Sequence, residues 1–490
     1  MSPLAFLSAF LPELVLLAGA LGLFVVALGA PPARLARRVV LGVALAAFAA
    51  AILGLGQRAE RFSGAYRVDQ FSQLLKLVLT FGFAALVLLG GDLPDIRGEV
   101  KAEYHLFLTL SVTGLVMLVS CVDVISLVVA LELSSFPLYL LVPMRRERAG
   151  QRNQMESAIK YIMFGVAANG IMLFGLSYLY GLTGTLHLPA MIAILPPVVR
   201  SPLAIAGLGL TFCGLYYKLA VFPFHFWTPD VYQGASNETA GLIASLPKLG
   251  AVAVLVRFVA LATPDNRTVA LLLTGLAIAS MFYGNLIALV QKDFKRLLGF
   301  SSIAHAGYAL MGFVALDAAG FTAALYYLAG YLLMILACFV VISRVSRDGA
   351  NVPIEELAGL HRRSPLLAVT LLVALFALAG VPPFVGFMAK LSLLTAALAR
   401  GYLALVIIAV VNSAIAIYYY LQVIRTAVFG DAAPAAGAGR IRLAWPTKVL
   451  CLVLIGGIIY LGVAPGALVD ALSSSLASVT AGPATALLGR

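Results

Sequence analysis

The segment that decides the fold spans residues 214–230 and reads GLYYKLAVFPFHFWTPD. Lys218 lies within an apolar run, and two prolines, Pro223 and Pro229, follow it closely. Proline removes a backbone donor and breaks or kinks a helix, so a break is expected after Lys218. Broken backbone inside a membrane is tolerated where protein buries it or where it lines a wet cavity. The segment therefore predicts an interrupted membrane helix that carries a buried lysine.

The composition of the whole chain agrees with a membrane protein. The chain has 490 residues, of which 62% are hydrophobic and 11% are charged, whereas a soluble domain has about 25% charged residues. The net charge of +12 comes from basic residues in short gaps between apolar runs, which is typical of topology control rather than of nucleic-acid binding. No two cysteines are spaced for a metal or cluster site, and each lies in or beside an apolar run: Cys121, Cys213, Cys338 and Cys451.

The apolar runs predict an all-α polytopic membrane protein with about fourteen transmembrane helices, since one span needs about 20 residues. The candidate segments are 4–30, 38–56, 70–90, 104–121, 124–143, 158–180, 202–222, 239–262, 269–290, 297–315, 321–343, 365–399, 402–428 and 447–469. An even number of spans puts both termini on one side. The odd-numbered connections hold most of the lysines and arginines, so they are expected in the cytoplasm and both termini on the opposite side.

Ionisable side chains within these spans are the candidate functional residues, because charge at the bilayer centre costs several kcal/mol. The candidates are Glu132, Lys218, Lys248 and Lys390, with His225 and His305 beside them. Lys248 follows Pro247, and Lys390 follows a run with two prolines and two glycines, so each of the three lysines is expected beside a proline break.

Other charged residues are weaker candidates. Lys160 is included because it lies beside Tyr161 on an otherwise apolar helix. Glu13 and Lys76 lie near the starts of their spans, where they are expected only to reach the interface, and Arg257 lies near a helix end, where snorkelling is the default.

Each candidate also has a plain structural interpretation. Glu132 could be satisfied by Ser134 or Ser135, although serine alone leaves a buried charge without a partner. Lys218 could reach the headgroups. A lone His305 is more often a core residue, although a polar strip that could carry protons lies beside it: Ser301, Ser302 and Tyr308.

Lysine suits proton transfer in this setting. A free lysine has a pKa near 10.4, and desolvation can lower the pKa of a lysine by up to about 3–5 units. A nearby carboxylate opposes that change, so moving the carboxylate loads or releases a proton. A difference of about 3 units is roughly 4 kcal/mol, which is comparable with moving one charge through 100–200 mV, at about 2.3 kcal/mol per 100 mV.

Several motifs resemble those of the antiporter-like membrane subunits of respiratory complex I. The sequence Trp-Thr-Pro-Asp-Val-Tyr at residues 227–232 resembles subunit N of that complex in particular. The resemblance covers most of the chain from about residue 100 onward. The matching stretches are 131–139 (LELSSFPLY), 218–234, 292–312 (KDFKRLLGFSSIAHAGYALMG) and 357–390.

The resemblance implies the residue roles and the architecture. Glu132 and Lys218 would form the coupling pair, Lys248 a central relay and Lys390 the exit-side lysine, with His225 and His305 on the connecting hydrophilic axis. The family fold has fourteen spans, two inverted five-helix repeats and two discontinuous helices. The expected units are a three-helix segment at 1–103, a first repeat at 104–262, a second, inverted repeat at 269–428, and a loop, last helix and tail at 429–490.

The resemblance also implies the cofactors, partners and location. The chain would hold no cofactor, and flavin and iron–sulfur clusters would lie in partner subunits. Its partners would be other membrane and peripheral subunits of complex I, including neighbouring antiporter-like subunits, and the lipid bilayer of the cell's inner membrane. Alone, the chain would neither oxidise NADH nor reduce quinone.

One stretch departs from the family pattern. After Gly234 the family usually has Pro-Thr-Pro-Val, whereas residues 235–239 here read ASNET, so Glu238 adds a carboxylate near the start of the Lys248 helix. Two other functions stay open. One is a subunit of a multi-subunit cation/proton antiporter or a membrane-bound hydrogenase, and the other is a structural membrane scaffold without conduction.

Overall fold

The structure is a computed structural model that describes residues 8–29, 32–147, 153–259, 267–430 and 439–480. Almost every regular element in these residues is an α-helix. This follows from the apolar composition, because a helix satisfies its own backbone polar groups where lipid cannot.

The elements are numbered here in chain order. The first part of the chain forms α1 (Leu11–Leu28), α2 (Ala33–Gly54), β1 (Ala59–Arg61), β2 (Tyr66–Val68), α3 (Gln70–Gly90), α4 (Lys101–Leu118), α5 (Val124–Leu141) and α6 (Asn153–Thr183). The middle part forms α7 (Leu188–Ile194), α8 (Pro202–Leu219), α9 (Trp227–Gly234), α10 (Asn237–Val259), α11 (Arg267–Ala288), α12 (Phe294–Val314) and α13 (Ala318–Val345). The last part forms α14 (Leu360–Arg363), α15 (Pro365–Ala379), α16 (Val385–Ala399), α17 (Leu403–Phe429), α18 (Trp445–Val463) and α19 (Gly466–Thr480). Short 3-10 turns occur at Gly98–Val100, Pro196–Val198 and Ile354–Leu357.

Twelve helices in the described ranges are long and apolar enough to cross a membrane, which confirms an all-α multi-pass membrane protein. They coincide with twelve of the fourteen predicted segments. Of the other two, segment 104–121 falls on α4, and segment 365–399 is divided between α15 and α16. The number of crossings and the two inverted repeats stay predictions.

Aspartate side chains begin several of the helices. Asp69 accepts a hydrogen bond from the Ser72 amide at the start of α3. Asp123, Asp293 and Asp317 cap α5, α12 and α13 in the same way. A side-chain oxygen at this position satisfies an amide that has no partner within the helix. These short polar residues therefore fix where the apolar helices begin.

Two helices are interrupted beside a lysine, as the prolines predict. Helix α8 ends at Leu219, Ala220 has a left-handed φ of 64°, and the chain resumes as α9 at Trp227. Helix α15 ends at Ala379, Gly380 has a φ of 88°, and α16 begins at Val385. The left-handed residue ends each first helix because it turns the chain away from the helical path.

The break expected at Pro247 is wrong. Helix α10 continues through this proline from Asn237 to Val259. Proline removes one backbone hydrogen bond, but a membrane helix tolerates that loss when its neighbours hold both halves in line. The whole membrane-crossing part of α10 is buried inside the bundle, so other helices surround it on every side.

The bundle has a fully enclosed centre. Helices α10, α12 and α13 are buried along their entire membrane-crossing windows, whereas only a third of the windows of α1, α2, α17 and α18 is buried. Helix α13 packs against α10, α12, α15, α16 and α18. The outer helices present apolar side chains outward, where lipid is expected.

Among the described residues, contacts between connections fall into two sets. In one set, Arg145 bonds to Asp95 at 2.5 Å and to the carbonyl of Gly349, and Asp293 bridges to Pro353. In the other set, Tyr66 of the β1–β2 hairpin forms an isolated β-bridge with Cys121, and Asp123 forms one with His187. Arg400 forms an ion pair with Asp317. The first set contains odd-numbered connections and the second contains even-numbered ones.

Candidate functional site

Glu132 and Lys218 lie close together but do not touch. The ammonium of Lys218, in the last turn of α8, donates to the hydroxyl of Ser135 at 2.6 Å and to that of Ser134 at 3.2 Å. Both serines belong to α5, the helix that carries Glu132. The carboxylate acts on the ammonium electrostatically, yet the two form no direct ion pair in the described part of the chain. The direct partners of the ammonium are therefore serine hydroxyls, not the carboxylate.

Asn169 is the direct partner of Glu132. Its side-chain amide on α6 donates to Glu132 Oε1 at 2.5 Å, and Asn169 itself is 7% exposed. Asn169 was not among the predicted site residues, because an isolated asparagine among glycine and alanine gives no periodic signal. An uncharged amide in an apolar span was the available clue, since a buried amide needs a partner.

Lys248 is held from α12. Its ammonium donates to the hydroxyl of Ser302 and, at 3.3 Å, to the carbonyl of the same residue. The hydroxyl of Tyr232 lies 3.1 Å from that of Ser302, and the Tyr331 ring lies below the ammonium at 5.5 Å. Lys248 is 2% exposed. A single serine therefore joins Lys248 to α9 through a tyrosine.

His305 lies one turn beyond Ser302 on α12 and is bonded at both ring nitrogens. Nδ1 is 2.5 Å from the Tyr327 hydroxyl, and Nε2 is 3.0 Å from the Tyr420 hydroxyl. The plain interpretation of His305 as a satisfied core residue fits these contacts. So does a role in proton transfer, because a histidine between two hydroxyls can accept a proton on one side and release one on the other.

Lys390 lies in the second turn of α16, just after the break. Its ammonium donates to the carbonyls of Leu378 and Ala379 at 3.2 and 3.1 Å, which are free because α15 ends there. It also lies 4.7 Å above the ring of Tyr308. The interruption of the helix thus supplies the acceptors that hold the buried lysine.

These residues form a row across the enclosed centre, called the buried axis below. Its members are Glu132, Lys218, Lys248, His305 and Lys390. Helix α9 bridges the space between the first two lysines, since Trp227 at its start donates to the carbonyl of Tyr217, and Tyr232 near its end bonds Ser302. No hydrogen bond joins Lys218 to Lys248 within the described ranges.

His225 lies in the break after α8 but has a different environment. Its ring is 1% exposed, stacks on Phe222 at 5.2 Å and meets Tyr283 at 4.2 Å. Neither ring nitrogen has a hydrogen-bond partner among the described residues. The structure places His225 in an aromatic cage beside the buried axis.

Lys160 lies in a charged cluster at one end of the bundle. Its ammonium pairs with Asp230 at 2.6 Å and with Glu156 at 2.7 Å, and its side chain is 36% exposed. Arg296 pairs with the other oxygen of Asp230 at 2.6 Å. Burial acts to raise the pKa of the Asp230 carboxyl, but the hydrogen bonds from Lys160 and Arg296 outweigh it and hold the pKa below its usual range. The structure does not bring Lys160 into the row of buried lysines.

The expectation that Glu13 and Lys76 only reach the interface is wrong. The two side chains are 2% and 0% exposed and form an ion pair at 2.6 Å. The Tyr66 hydroxyl of β2 donates to the same carboxylate oxygen at 2.6 Å. The hairpin folds over the ends of α1 and α3 and buries the pair, which position within a span could not predict.

The expectation that Arg257 snorkels to the headgroups is also wrong. Its guanidinium is 4% exposed, donates to the carbonyl of Val119 at 3.0 Å and lies 3.4 Å from Asp69. The C-terminal turn of α10 is covered by the ends of α3 and α4, so the arginine finds protein acceptors instead of headgroups.

Comparison with known proteins gives the class of the chain. A family model described as NADH:quinone oxidoreductase/Mrp antiporter, TM, matches residues 121–416. This stretch holds every residue of the buried axis, so the class is an antiporter-like membrane protein.

Individual relatives narrow the class. The chain is 66% identical over 474 residues to NADH-quinone oxidoreductase subunit N 2 of Opitutus terrae, covering 96% of this chain and 98% of that protein. A chain of respiratory complex I from Thermus thermophilus with bound aureothin is 33% identical, with a TM-score of 0.81 over 95% of this chain and 100% of that one. The chain belongs to the NADH-quinone oxidoreductase subunit N family, which confirms the resemblance seen in the motifs.

The fold itself is shared more widely. A chain of the Mrp complex from Dietzia sp. has a TM-score of 0.85 over 98% of this chain and 99% of that one, at 23% identity. At that identity the likeness concerns the fold alone.

Proposed function

We propose that this chain translocates protons across the membrane along the buried axis, as the antiporter-like subunit N of an NADH:quinone oxidoreductase. The driving force is redox chemistry in partner subunits. The class of protein and its fold support membership of such a complex, and the contacts of the buried lysines support the transport role.

The observation that carries the proposal is the kind of partner each lysine has. Lys218, Lys248 and Lys390 bond to neutral hydroxyls and carbonyls, with no direct ion pair among the described residues. Breaking a direct buried pair by removing one charge costs about 3–5 kcal/mol. A lysine bonded to neutral groups avoids this cost, so it can exchange a proton with its neighbour more easily.

Proton transfer along the row follows from these neighbours. A change in the position or charge of Glu132 alters the field at Lys218 and so loads or releases its proton. Hydroxyl groups can pass a proton on because each is both donor and acceptor. Ser302 and the tyrosines around His305 offer such groups between Lys248 and Lys390.

Location and partners complete the proposal. The chain lies in the inner membrane, with the odd-numbered connections in the cytoplasm and both termini on the opposite side, as the basic residues indicate. It assembles with membrane subunits, neighbouring antiporter-like subunits among them, and with peripheral subunits. It holds no cofactor of its own, and the partners carry the flavin and the iron–sulfur clusters.

The shared fold favours a second candidate function, a subunit of a multi-subunit cation/proton antiporter. Purification of the complex that contains this chain separates the two candidates. Companion chains with flavin and iron–sulfur centres support the redox-driven complex, whereas companions without redox centres support the antiporter.

The transport role is tested in membrane vesicles that contain the assembled complex. Lys218→Ala and Glu132→Ala are each expected to abolish most of the proton uptake that accompanies NADH oxidation. Lys448→Ala is the matched control, because Lys448 is an exposed lysine near the start of α18. If both variants assemble and take up protons like the wild type, the chain is a scaffold and the proposal fails.

A further inference from the structure

Glu238 is a buried carboxylate outside the buried axis. It lies in the first turn of α10 and is 4% exposed. Neither carboxylate oxygen has a hydrogen-bond partner among the described residues. The nearby Ser236 hydroxyl donates to Thr239 at 2.9 Å and interacts only weakly with the Glu238 carboxylate. A buried carboxylate without a direct partner is costly to keep, so its position calls for an explanation other than stability.

The carboxylate borders a small cavity that it shares with a histidine. The cavity has a volume of about 10 Å³, close to the smallest space that holds one water molecule. Glu238, His105 and Tyr104 supply its polar lining. His105 on α4 is 4% exposed, and its Nδ1 has no partner in the described ranges. Two buried, unpartnered ionisable groups therefore face one cavity.

His105 also borders a second, larger cavity that opens at the end of the bundle. This surface cavity has a volume of about 210 Å³ and is lined by Arg34, Arg37, Gly91, Asp92, Leu93, Lys101 and His105. At its rim Arg37 pairs with Asp92 at 2.6 Å, and Lys101 donates to the backbone carbonyl of Asp92. His105 and Leu93 line both cavities, so these two side chains lie where the cavities adjoin.

Glu238 also interacts with Lys295, which lies on the same helix as the partner of Lys248. Lys295, on α12, is buried, interacts electrostatically with Glu238 and donates to the carbonyl of Ala235 at 2.7 Å. Lys295 precedes Ser302 by seven residues, which places the two on one face of α12 about 10 Å apart. Ser302 is the residue that bonds Lys248.

Charges of both signs surround Glu238 and the surface cavity. Asp95, Lys295 and Arg344 act on Glu238 electrostatically. Arg37, Lys101 and Asp92 lie at the surface cavity, where Arg37 and Asp92 form an ion pair.

We propose that His105 and Glu238, with the cavity between them, form a second proton access route from the surface at residues 91–101 to Lys248. His105 takes a proton at the surface cavity and passes it to Glu238, which delivers it toward Ser302 and Lys248. The route rests on the proposed proton translocation, and the orientation proposed above puts its mouth in the cytoplasm. It bypasses Glu132 and Lys218.

The route is tested with Glu238→Gln in vesicles that contain the assembled complex. Glutamine keeps the size of the side chain but cannot carry a proton between neighbours at neutral pH. We expect the initial proton uptake to fall roughly 1.5-fold, far less than the about 100-fold contribution typical of one positioned acid–base group, because access through Lys218 supplies most of the uptake. Glu238→Asp should restore most of the uptake. Glu99→Gln changes an exposed residue in the connection of residues 91–101, at the mouth of the route, and should leave the uptake unchanged.

A second measurement tests the route even if the Glu238 variants assemble poorly. His105→Cys should react with a small, membrane-impermeant thiol reagent added from the side of residues 91–101 and not from the other side, with the labelled subunit identified by mass spectrometry. Wild-type uptake by assembled Glu238→Gln overturns the route. So does a thiol at position 105 that the reagent does not reach.

Lys218→Ala, measured in parallel, separates this inference from the proposed function. If Lys218→Ala removes uptake while Glu238→Gln does not, only the second route is wrong. If neither variant affects uptake in assembled complex, the proton translocation itself is wrong.

Discussion

The Glu13–Lys76 and Glu132–Lys218 pairs place the same two side chains inside the membrane, but only the first pair is in direct contact. Glu13 and Lys76 meet at 2.6 Å, and both are buried almost completely. Lys218 bonds instead to two serine hydroxyls. A direct pair holds both charges fixed, because neither partner can lose its charge without leaving the other buried and uncompensated.

The second pair can change its charge at lower cost. Glu132 takes its hydrogen bond from the Asn169 amide, and Lys218 gives its hydrogen bonds to serines. Each charged group therefore keeps a polar partner when the other group moves or changes protonation state. The two pairs therefore differ in contact distance, not in residue type, and the proposed transport role depends on that difference.

The largest expected effect breaks the direct pair. Lys76→Met leaves the Glu13 carboxylate buried without its cation, which costs about 3–5 kcal/mol. We expect less assembled complex and a lower thermal denaturation temperature. The double variant Lys76→Met with Glu13→Leu should regain much of that loss, because an apolar pair of similar size fits the same site. Single and double variants of equal stability would show that the pair is not structural.

A smaller effect is expected when Glu132 loses its amide partner. A hydrogen bond to a charged group contributes about 1.5–3 kcal/mol, so Asn169→Leu should slow proton uptake by roughly tenfold or more. The assembled amount should change little, in contrast to Lys76→Met. Asn169→Ser keeps a donor and is the matched control. Loss of assembly with Asn169→Leu, at unchanged uptake per complex, would assign Asn169 a structural role.

The serines sharpen the comparison further. Ser135 lies 2.6 Å from the Lys218 ammonium and Ser134 lies 3.2 Å from it. A typical hydrogen bond contributes about 0.5–1.5 kcal/mol, so Ser135→Ala should lower the initial uptake rate a fewfold and Ser134→Ala should lower it less. Parallel measurement of the two alanine variants checks the order. The reverse order would mean that Lys218 rests on Ser134 in the working complex.

Features that depend on local sequence pattern could be predicted from the sequence alone. Lysines in the middle of apolar runs, the prolines after Lys218 and the motif resemblance predicted the membrane fold, the two interrupted helices and all five residues of the buried axis. The break at Pro247 failed because proline predicts a lost hydrogen bond, whereas the surrounding helices decide whether the helix stops. The burial of Glu13 and Lys76 was not predicted because a distant hairpin covers them, and Asn169 was missed because its partner lies on another helix.

The smallest effect is expected at Lys160, a lysine predicted for the site that the structure places in a surface cluster. Surface ion pairs contribute about 0.2–1 kcal/mol, and Asp230 keeps Arg296 when Lys160 is changed. Lys160→Gln should therefore keep proton uptake within about twofold of the wild type, with Lys218→Ala as the contrasting variant. Uptake that falls as far in Lys160→Gln as in Lys218→Ala would show that the transport path continues through the surface cluster, and burial would then be no guide to which lysines move protons.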